Sequence, residues 1–582
     1  MCAPPSPAAS EVRLAKEGAR FQLLRDGEPY FVRGGGGGAD SMGSLAQAGG
    51  NSLRLWGDDD LGAQLDAAHK LGLTICAGIW LGQVRQGFDW TDADGLAKQR
   101  EQIRATVLKH KDHPALLVWA LGNEMEDPKG KNGAVWTAIN SLAVMVKQLD
   151  PKHPTMTVVA EIGGDKVKNI HRLCPEIDIV GINSYGGAVS VGERYQKLGG
   201  TKPYLLTEYG PRGIWEVKKD ALGAYPEPTS TEKADIYRSI YKAAVLGQPT
   251  LCLGSYAFLW GQKQEATATW FSLFLEDGAR LGGVDALSEL WTGKAPANRC
   301  PTLQSLEIDG PRAVEPGSTV RAKLRVVDPE KETLKVTWLL QRDAEEFGTG
   351  GDKEEAPPVF PEAVTEGDAS GAEIALPKEP GLYRLFAFAR DASGGAAVAN
   401  VTLRVNGVAG VAKGSPAEFP LSLYAEEGDD PTFVPAGWMG DAKSIRLDPA
   451  STERPLKGKT CLRCEFFAES GWGGVVWQSP AGDWGDRGSG YDLTGAKKIT
   501  FWARGATGDE VVNFQFGLIP KEKKFSDTAT GALDKVTLTS DWKQYEIPVA
   551  GLDLTRIKTG FAWTLASAGA PVVFYLDNIR WE

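Results

Sequence analysis

Between Arg20 and Trp291 short apolar runs alternate with longer stretches of helical periodicity, eight times over. No other feature constrains the fold as strongly. The apolar runs are Tyr30 to Arg33, Ser52 to Leu55, Thr74 to Ile79, Leu116 to Leu121, Thr155 to Val159, Ile177 to Ile182, Tyr204 to Thr207 and Leu251 to Phe258. The helical stretches between them include Leu61 to Leu71, Leu96 to His110, Val135 to Leu149 and Thr231 to Leu246, with Asp and Thr near their starts. A short run that is apolar throughout suits a strand buried on both faces, and such strands alternating with amphipathic helices make a parallel sheet. Eight such units predict a closed (β/α)8 TIM barrel over residues 20–300, after a leader at 1–19.

In that fold the active site is built where the strands end. The segment His113 to Glu124, HPALLVWALGNE, runs from an apolar strand directly into Asn123 and Glu124. Lys202 to Gly210, KPYLLTEYG, repeats the arrangement and ends its strand on Glu208. One glutamate at a strand end is most often solvated or salt-bridged. Two at matched positions of repeating units point to paired acid/base chemistry. The other strand ends carry Arg54 and Trp56 (second), Trp80 (third), Glu161 (fifth), Asn183 and Tyr185 (sixth) and Trp260 (eighth). These are the candidate substrate-binding groups, although Arg54 as an ion-pair residue and Trp260 as rim packing are the plainer alternatives. Glu126, Glu161 and Glu265 either line the same site or are simply solvated. The run Gly34 to Gly38 lacks the following Lys-Ser/Thr of a phosphate loop and reads as a close-packed loop after the first strand.

Downstream the periodicity changes to two. Segments such as STVRAKLRVVD and YRLFAFARD predict an all-β sandwich over 301–407. A Gly/Ala/Pro-rich linker follows at 408–417. The remainder, 418–582, is a second β-rich unit that holds eight of the eighteen tryptophans. Of these, Trp502 and Trp581 read as core, whereas Trp472, Trp477 and Trp484, set among glycines, read as candidates for stacking on sugar rings.

A formal net charge of -11 argues against a nucleic-acid partner, which requires a basic face. The chain contains no run of eighteen apolar residues, so no transmembrane segment is predicted. Cys2 precedes a Pro/Ala/Ser tract, as in a mature bacterial lipoprotein; one reading is therefore a lipid anchor at Cys2 and a secreted, periplasmic or cell-surface location. The remaining cysteines are scattered through apolar segments rather than framed as a disulfide scaffold. Cys461 and Cys464 form a CxxC, but within a strand-like segment where positions three apart point to opposite faces, and no HExxH motif is present, so no metal is expected at the barrel site.

Through WALGNE at Trp119 to Glu124 and TEYG at Thr207 to Gly210, the barrel resembles clan A of the retaining glycoside hydrolases, most nearly the family 2 catalytic domain. The resemblance implies Glu124 as acid/base and Glu208 as nucleophile. Asn123 would then contact the sugar 2-hydroxyl and Trp260 would form a platform beneath the reacting sugar. Physical reasoning adds that Arg54 can hold Glu208 ionised by charge and that Tyr185 can donate a hydrogen bond to it. TEYG also resembles the nucleophile region of β-1,3-glucanosyltransferases. Residues 301–407 resemble immunoglobulin-like modules, which usually act as spacers, and 418–582 resemble jelly-roll carbohydrate-binding modules. The implied function is a retaining β-glycosidase acting on β-linked glucan-type polysaccharides or oligosaccharides, with no cofactor; a structural calcium in the C-terminal module is left open. The alternatives are a β-glucanosyltransferase using the same residues and a non-catalytic carbohydrate-binding surface protein.

Overall fold

A computed structural model describes residues 10–83, 88–125, 133–344, 347, 348, 351, 354–406, 415–424, 432–488, 490–523, 525–567 and 569–582. The chain divides into two compact units, Met1–Val408 and Ala409–Glu582. Cys2, Glu126 and most of the expected linker lie outside the described residues.

Part of the expected leader is structural. Strands β1 (Val12–Glu17), β2 (Arg20–Arg25) and β3 (Glu28–Pro29) form an antiparallel sheet. The Val12 N–H donates to the Lys152 carbonyl and the Phe21 N–H to that of Thr250, both at 2.8 Å. Lys152 and Thr250 lie just before two barrel strands, and Val12 and Leu23 join the apolar cluster that fills the barrel. The sheet therefore covers the N-terminal end of the barrel, where polar backbone and apolar interior would otherwise meet water.

The barrel closes from eight parallel strands: β4 (Val32–Gly36), β5 (Ser52–Arg54), β6 (Thr74–Ile79), β7 (Leu116–Asn123), β8 (Thr155–Ala160), β9 (Ile179–Asn183), β10 (Tyr204–Glu208) and β11 (Cys252–Ala257). Side chains alternate as the pleat requires. In β7, Val118 and Ala120 belong to the interior cluster, whereas Trp119 and Leu121 belong to the layer shared with the helices. The glycine run is not the loop read from the sequence, because Gly34 to Gly36 are part of β4 itself. A Cβ on Gly34 would lie 2.3 Å from the Tyr256 ring, and one on Gly36 would lie 2.6 Å from the Trp56 indole. Strand one is thus glycine-rich so that large side chains of its neighbours can cross it.

Between the strands run α1 (Met42–Gln47), α2 (Leu61–Lys70), α3 (Ala93–His110), α4 (Gly133–Leu149), α5 (Lys166–Leu173), α6 (Val191–Lys197), α7 (Ser230–Ile240) and α8 (Gly282–Thr292). Their starts follow the expected chemistry. Asp92 caps α3 by accepting from the Asp94 N–H, and Thr229 with Glu232 forms a capping box on α7. Helix α7 continues into a π-helical turn over Tyr241–Leu246, so the helical stretch read from the periodicity is present in two conformations.

The sandwich packs one sheet of Thr302–Asp309, Thr319–Val327, Val364–Gly367 and Gly371–Ala375 against another built on Lys335–Arg342, Gly381–Arg390 and Gly395–Val405. It is joined to the barrel in two ways. The short strand Arg280–Leu281, which follows the last barrel strand, pairs in parallel with Gly395–Val405, and a buried polar cluster crosses the junction. There Glu227 accepts from Lys233 of α7 at 2.5 Å and from the Asn400 amide of the sandwich at 2.7 Å. Arg384 of the sandwich donates to Asp343 at 2.7 Å and to the Tyr225 carbonyl at 2.9 Å. Burial acts to raise the Glu227 carboxyl pKa, but the Lys233 and Arg384 cations more than offset it, so the carboxyl lies below its ordinary value.

In the second unit, a six-stranded and a five-stranded antiparallel sheet enclose one aromatic core that includes Phe501, Phe514, Phe561, Trp563 and Trp581. Two tryptophan expectations are corrected here. Trp477 sits in this core, because it points inward from its strand, and Trp502 is partly exposed, because its neighbour Phe501 takes the inward position and the pleat turns the next residue outward. Trp472 is 50% exposed. Cys461 and Cys464 are both buried free thiols. The buried ammonium of Lys558 pairs with Asp483. Among the described residues no group of three or more His, Cys, Asp or Glu side chains could hold a metal ion, and no helix is long and apolar enough to cross a membrane.

Candidate active site

The C-terminal ends of the barrel strands surround a cavity of about 880 Å³ lined by Asn123, Glu124, Asn183, Tyr185 and Glu208, together with Trp56, Trp80 and Glu161. Apolar strands hold these groups in register: β7 and β10 are buried along almost their whole length and each releases a glutamate at its end.

Glu208 is 7% exposed and receives three donors. Arg54 Nη1 and Trp56 Nε1 each reach Oε1 at 2.7 Å, and the Tyr185 hydroxyl reaches Oε2 at 2.7 Å. An ionised carboxylate, which only accepts, satisfies all three at once. Arg54 is 1% exposed; it also donates to the Thr207 carbonyl at 2.9 Å and to Asn123 Oδ1 at 2.6 Å, and its guanidinium lies 5.0 Å from the Trp56 ring centroid. One buried cation therefore fixes the positions of both the β10 carboxylate and the β7 amide.

Glu124 sits one residue beyond β7 with φ of 52°, a left-handed conformation that a non-glycine residue adopts only where its surroundings impose it. Its N–H is bonded to the Val158 carbonyl at 2.9 Å. Asn183 Nδ2 donates to Glu124 Oε1 at 2.7 Å and to Asn123 Oδ1 at 3.2 Å, and its own Oδ1 accepts from Thr207 at 2.8 Å. The Asn123 oxygen is thus taken by Arg54 and Asn183, and its NH2 group is what it can offer to a sugar hydroxyl. The described partners of the two glutamates differ: a guanidinium, an indole and a phenol address Glu208, and the Asn183 amide is among the groups that address Glu124. Such asymmetry is what two carboxyls need to take different protonation roles.

Tyr185 keeps its proton to well above pH 10, chiefly because of burial and then because of the adjacent Glu208 charge. It is a phenol donor throughout any working range. Tyr185→Phe is expected to lower kcat/KM about 10- to 100-fold, the range for losing a hydrogen bond to a charged group, while the alkaline limb of the pH–rate profile stays in place. A limb that moves in the variant would show that the phenol itself titrates.

The remaining candidates take more varied places. Trp56 is a donor to the carboxylate as well as a wall. Trp80 lines the cavity at 40% exposure. Glu161, also at a left-handed φ of 54°, is bound by Arg194 at 2.7 Å and by Ser184; burial raises its pKa, but these partners more than compensate and hold it below the ordinary carboxylate value. Trp260 is the clear correction. It is fully buried, donates to Ser44 at 3.1 Å and stacks on Trp291 at 5.3 Å, drawn inward where Gly35 leaves room beside it. It lies outside the cavity lining and cannot be a platform for a sugar. Glu265 lines the cavity and pairs with Lys263 at 2.8 Å; burial raises its pKa, only partly offset by Lys263.

Sequence reading missed Trp215 and Phe258. Trp215 is 65% exposed at the cavity, in the loop after β10, with its ring edge-on to Tyr185 at 5.8 Å. Glu216 next to it anchors that loop by accepting from the Gly186 N–H at 2.9 Å and the Gly213 N–H at 3.0 Å. Phe258, one residue beyond β11, meets Trp56 at 5.8 Å. The available signal was position: both aromatics follow C-terminal strand ends.

Residues 85–237 match the family model for the glycosyl hydrolases family 2 TIM barrel domain. A curated relative, the β-glucuronidase of Paenibacillus borealis, is 23% identical over 186 residues, which is 29% of this chain and 30% of that protein. Among solved structures, a β-glucuronidase from an uncultured Clostridium sp. aligns with a TM-score of 0.39 at 16% identity, covering 49% of this chain and 54% of the other. The GH2 β-galacturonidase from Eisenbergiella tayi aligns with a TM-score of 0.39 at 15% identity, over 49% of this chain and 54% of its own. The chain spans about half the length of these solved relatives. The matched stretch, which begins after β6 and ends within α7, is similar to the family 2 TIM barrel domain.

Proposed function

We propose that the protein is a retaining β-glycosidase acting on neutral, β-linked glucan-type saccharides. The observation that carries this reading is the pair Glu124 and Glu208, released from β7 and β10 into one cavity and tied together through Asn183, Asn123 and Arg54. In the first step a Glu208 oxygen bonds the anomeric carbon while Glu124 gives its proton to the departing glycosidic oxygen. In the second, Glu124, now a carboxylate, takes a proton from water as that water bonds the anomeric carbon and releases Glu208. The Asn123 NH2 group is placed to bond a sugar hydroxyl during both steps.

The lining supports a neutral sugar as substrate. Glu124, Glu161, Glu208, Glu216 and Glu265 bring five carboxyl groups to the cavity. Among the described residues, Lys263 pairs with Glu265, Arg194 with Glu161 and Arg54 with Glu208. Carboxylates and aromatic faces suit the hydroxyls and C–H faces of neutral sugars, whereas a uronate would bring further negative charge into an acidic site. The similarity to a β-glucuronidase favours a second reading, a β-glucuronide substrate. The two separate on a panel of 4-nitrophenyl β-glycosides. The glucoside is expected to exceed the glucuronide in kcat/KM by at least about 100-fold, the size of one uncompensated charge contact of about 3 kcal/mol. A glucuronide preference would overturn the neutral-sugar reading, and products longer than the substrate would identify a transglycosylase.

A further inference from the structure

The sandwich is more than a spacer, because it supplies part of the cavity wall. Phe347, Gly348 and Gly351, from the sandwich segment after Lys335–Arg342, line the same cavity as the two glutamates. This segment is tied to the barrel loop that follows β11. Glu354 accepts from the barrel Ala266 N–H at 2.7 Å and from the Gly348 N–H at 2.7 Å, and Lys263 of the barrel donates to the Gly351 carbonyl at 2.9 Å. Phe347 sets its ring edge-on to Tyr225 of the barrel with centroids 5.4 Å apart, and Tyr225 lines the cavity as well.

Resting on the glycosidase reading, we propose that Phe347 and Tyr225 form a subsite, built jointly by sandwich and barrel, that stacks a second neutral sugar ring beyond the one that reacts. Two aromatic side chains from different domains, held by charge-assisted hydrogen bonds at the rim of an acidic cavity, provide what a sugar ring needs: an apolar face for its C–H groups with acceptors near its hydroxyls. Lys263 pairs with Glu265 and donates to the sandwich at Gly351, and all three residues line the cavity that holds the catalytic groups. The sandwich thereby sets how much of a chain beyond the scissile bond the enzyme can grip.

The test compares full-length wild type with Phe347→Ala and Glu354→Gln, on 4-nitrophenyl β-glucoside and on β-linked glucotetraoses. The proposal predicts that Phe347→Ala lowers kcat/KM for the tetraose about tenfold more than for the aryl glucoside, mostly through KM, and that Glu354→Gln shifts the same ratio in the same direction by loosening the segment. An unchanged ratio in folded variants would overturn it, as would equal losses on both substrates, which mark a purely structural role. If wild type turns over neither substrate, the glycosidase reading fails by itself. Calorimetric titration of the tetraose into wild type and Phe347→Ala then decides the subsite: weaker binding to the variant supports it, and equal or absent binding refutes it.

Discussion

Glu208→Gln is expected to abolish turnover, lowering kcat on the order of 10⁴-fold or more for every leaving group. The amide is nearly the same size as the carboxylate but cannot form the glycosyl bond, so the loss belongs to chemistry rather than to binding, and KM should stay within a few-fold of wild type. The hydrogen bonds predict how the variant folds. Arg54 Nη1 and Trp56 Nε1 can still donate to the amide oxygen in place of Oε1. The amide nitrogen replaces the oxygen that Tyr185 addresses, and the phenol must turn to accept. Arg54, almost fully buried, loses its anionic partner at a cost of about 1–3 kcal/mol. A melting curve on the same sample should therefore show a folded, moderately destabilised protein. A folded variant that retains even one-tenth of wild-type kcat would exclude Glu208 as the nucleophile.

Glu124→Gln has a different expected signature. General acid–base catalysis contributes about 10²- to 10⁴-fold, and the need for it depends on the leaving group. With an alkyl or sugar leaving group, which must be protonated as it departs, kcat/KM is expected to fall toward the upper end of that range. With 2,4-dinitrophenolate, which leaves unprotonated, kcat/KM should fall much less, while kcat still drops because water is no longer activated in the second step. A uniform loss across leaving groups would mean that Glu124 acts only by position. The amide retains its hydrogen-bond partner in Asn183, so the left-handed turn at Glu124 should survive the substitution.

Strand positions in the barrel were legible because parallel strands buried on both faces appear as uninterrupted apolar runs, and the ends of those runs named Glu124 and Glu208. The contact of Arg54 with Glu208 was also readable, since side chains at the C-terminal ends of barrel strands converge on the barrel axis. Trp260 was misjudged because strand-end position does not reveal direction: Gly35 opens a recess that takes the indole inward, a property of a strand far away in sequence. The glycine run was read as a loop because glycine is rare in strands, and the reason for it, clearance for Tyr256 and Trp56, is a cross-strand effect. Phe347 could not be found from pattern at all. It reaches the cavity only because the sandwich is clamped to the barrel through Glu227, Asn400 and Glu354, contacts between residues far apart in the chain.

The account turns on a covalent bond to one carboxylate. The most direct test is peptide mass mapping of wild type after incubation with 2,4-dinitrophenyl 2-deoxy-2-fluoro-β-glucoside. Its fluorine slows the second step more than its activated leaving group slows the first, so the glycosyl-enzyme accumulates. The expected result is one added sugar per chain, located on the peptide that contains Glu208 and absent from Glu208→Gln. An adduct on any other residue, or turnover of the parent glucoside with inversion of configuration and no adduct, would contradict the two-carboxylate mechanism.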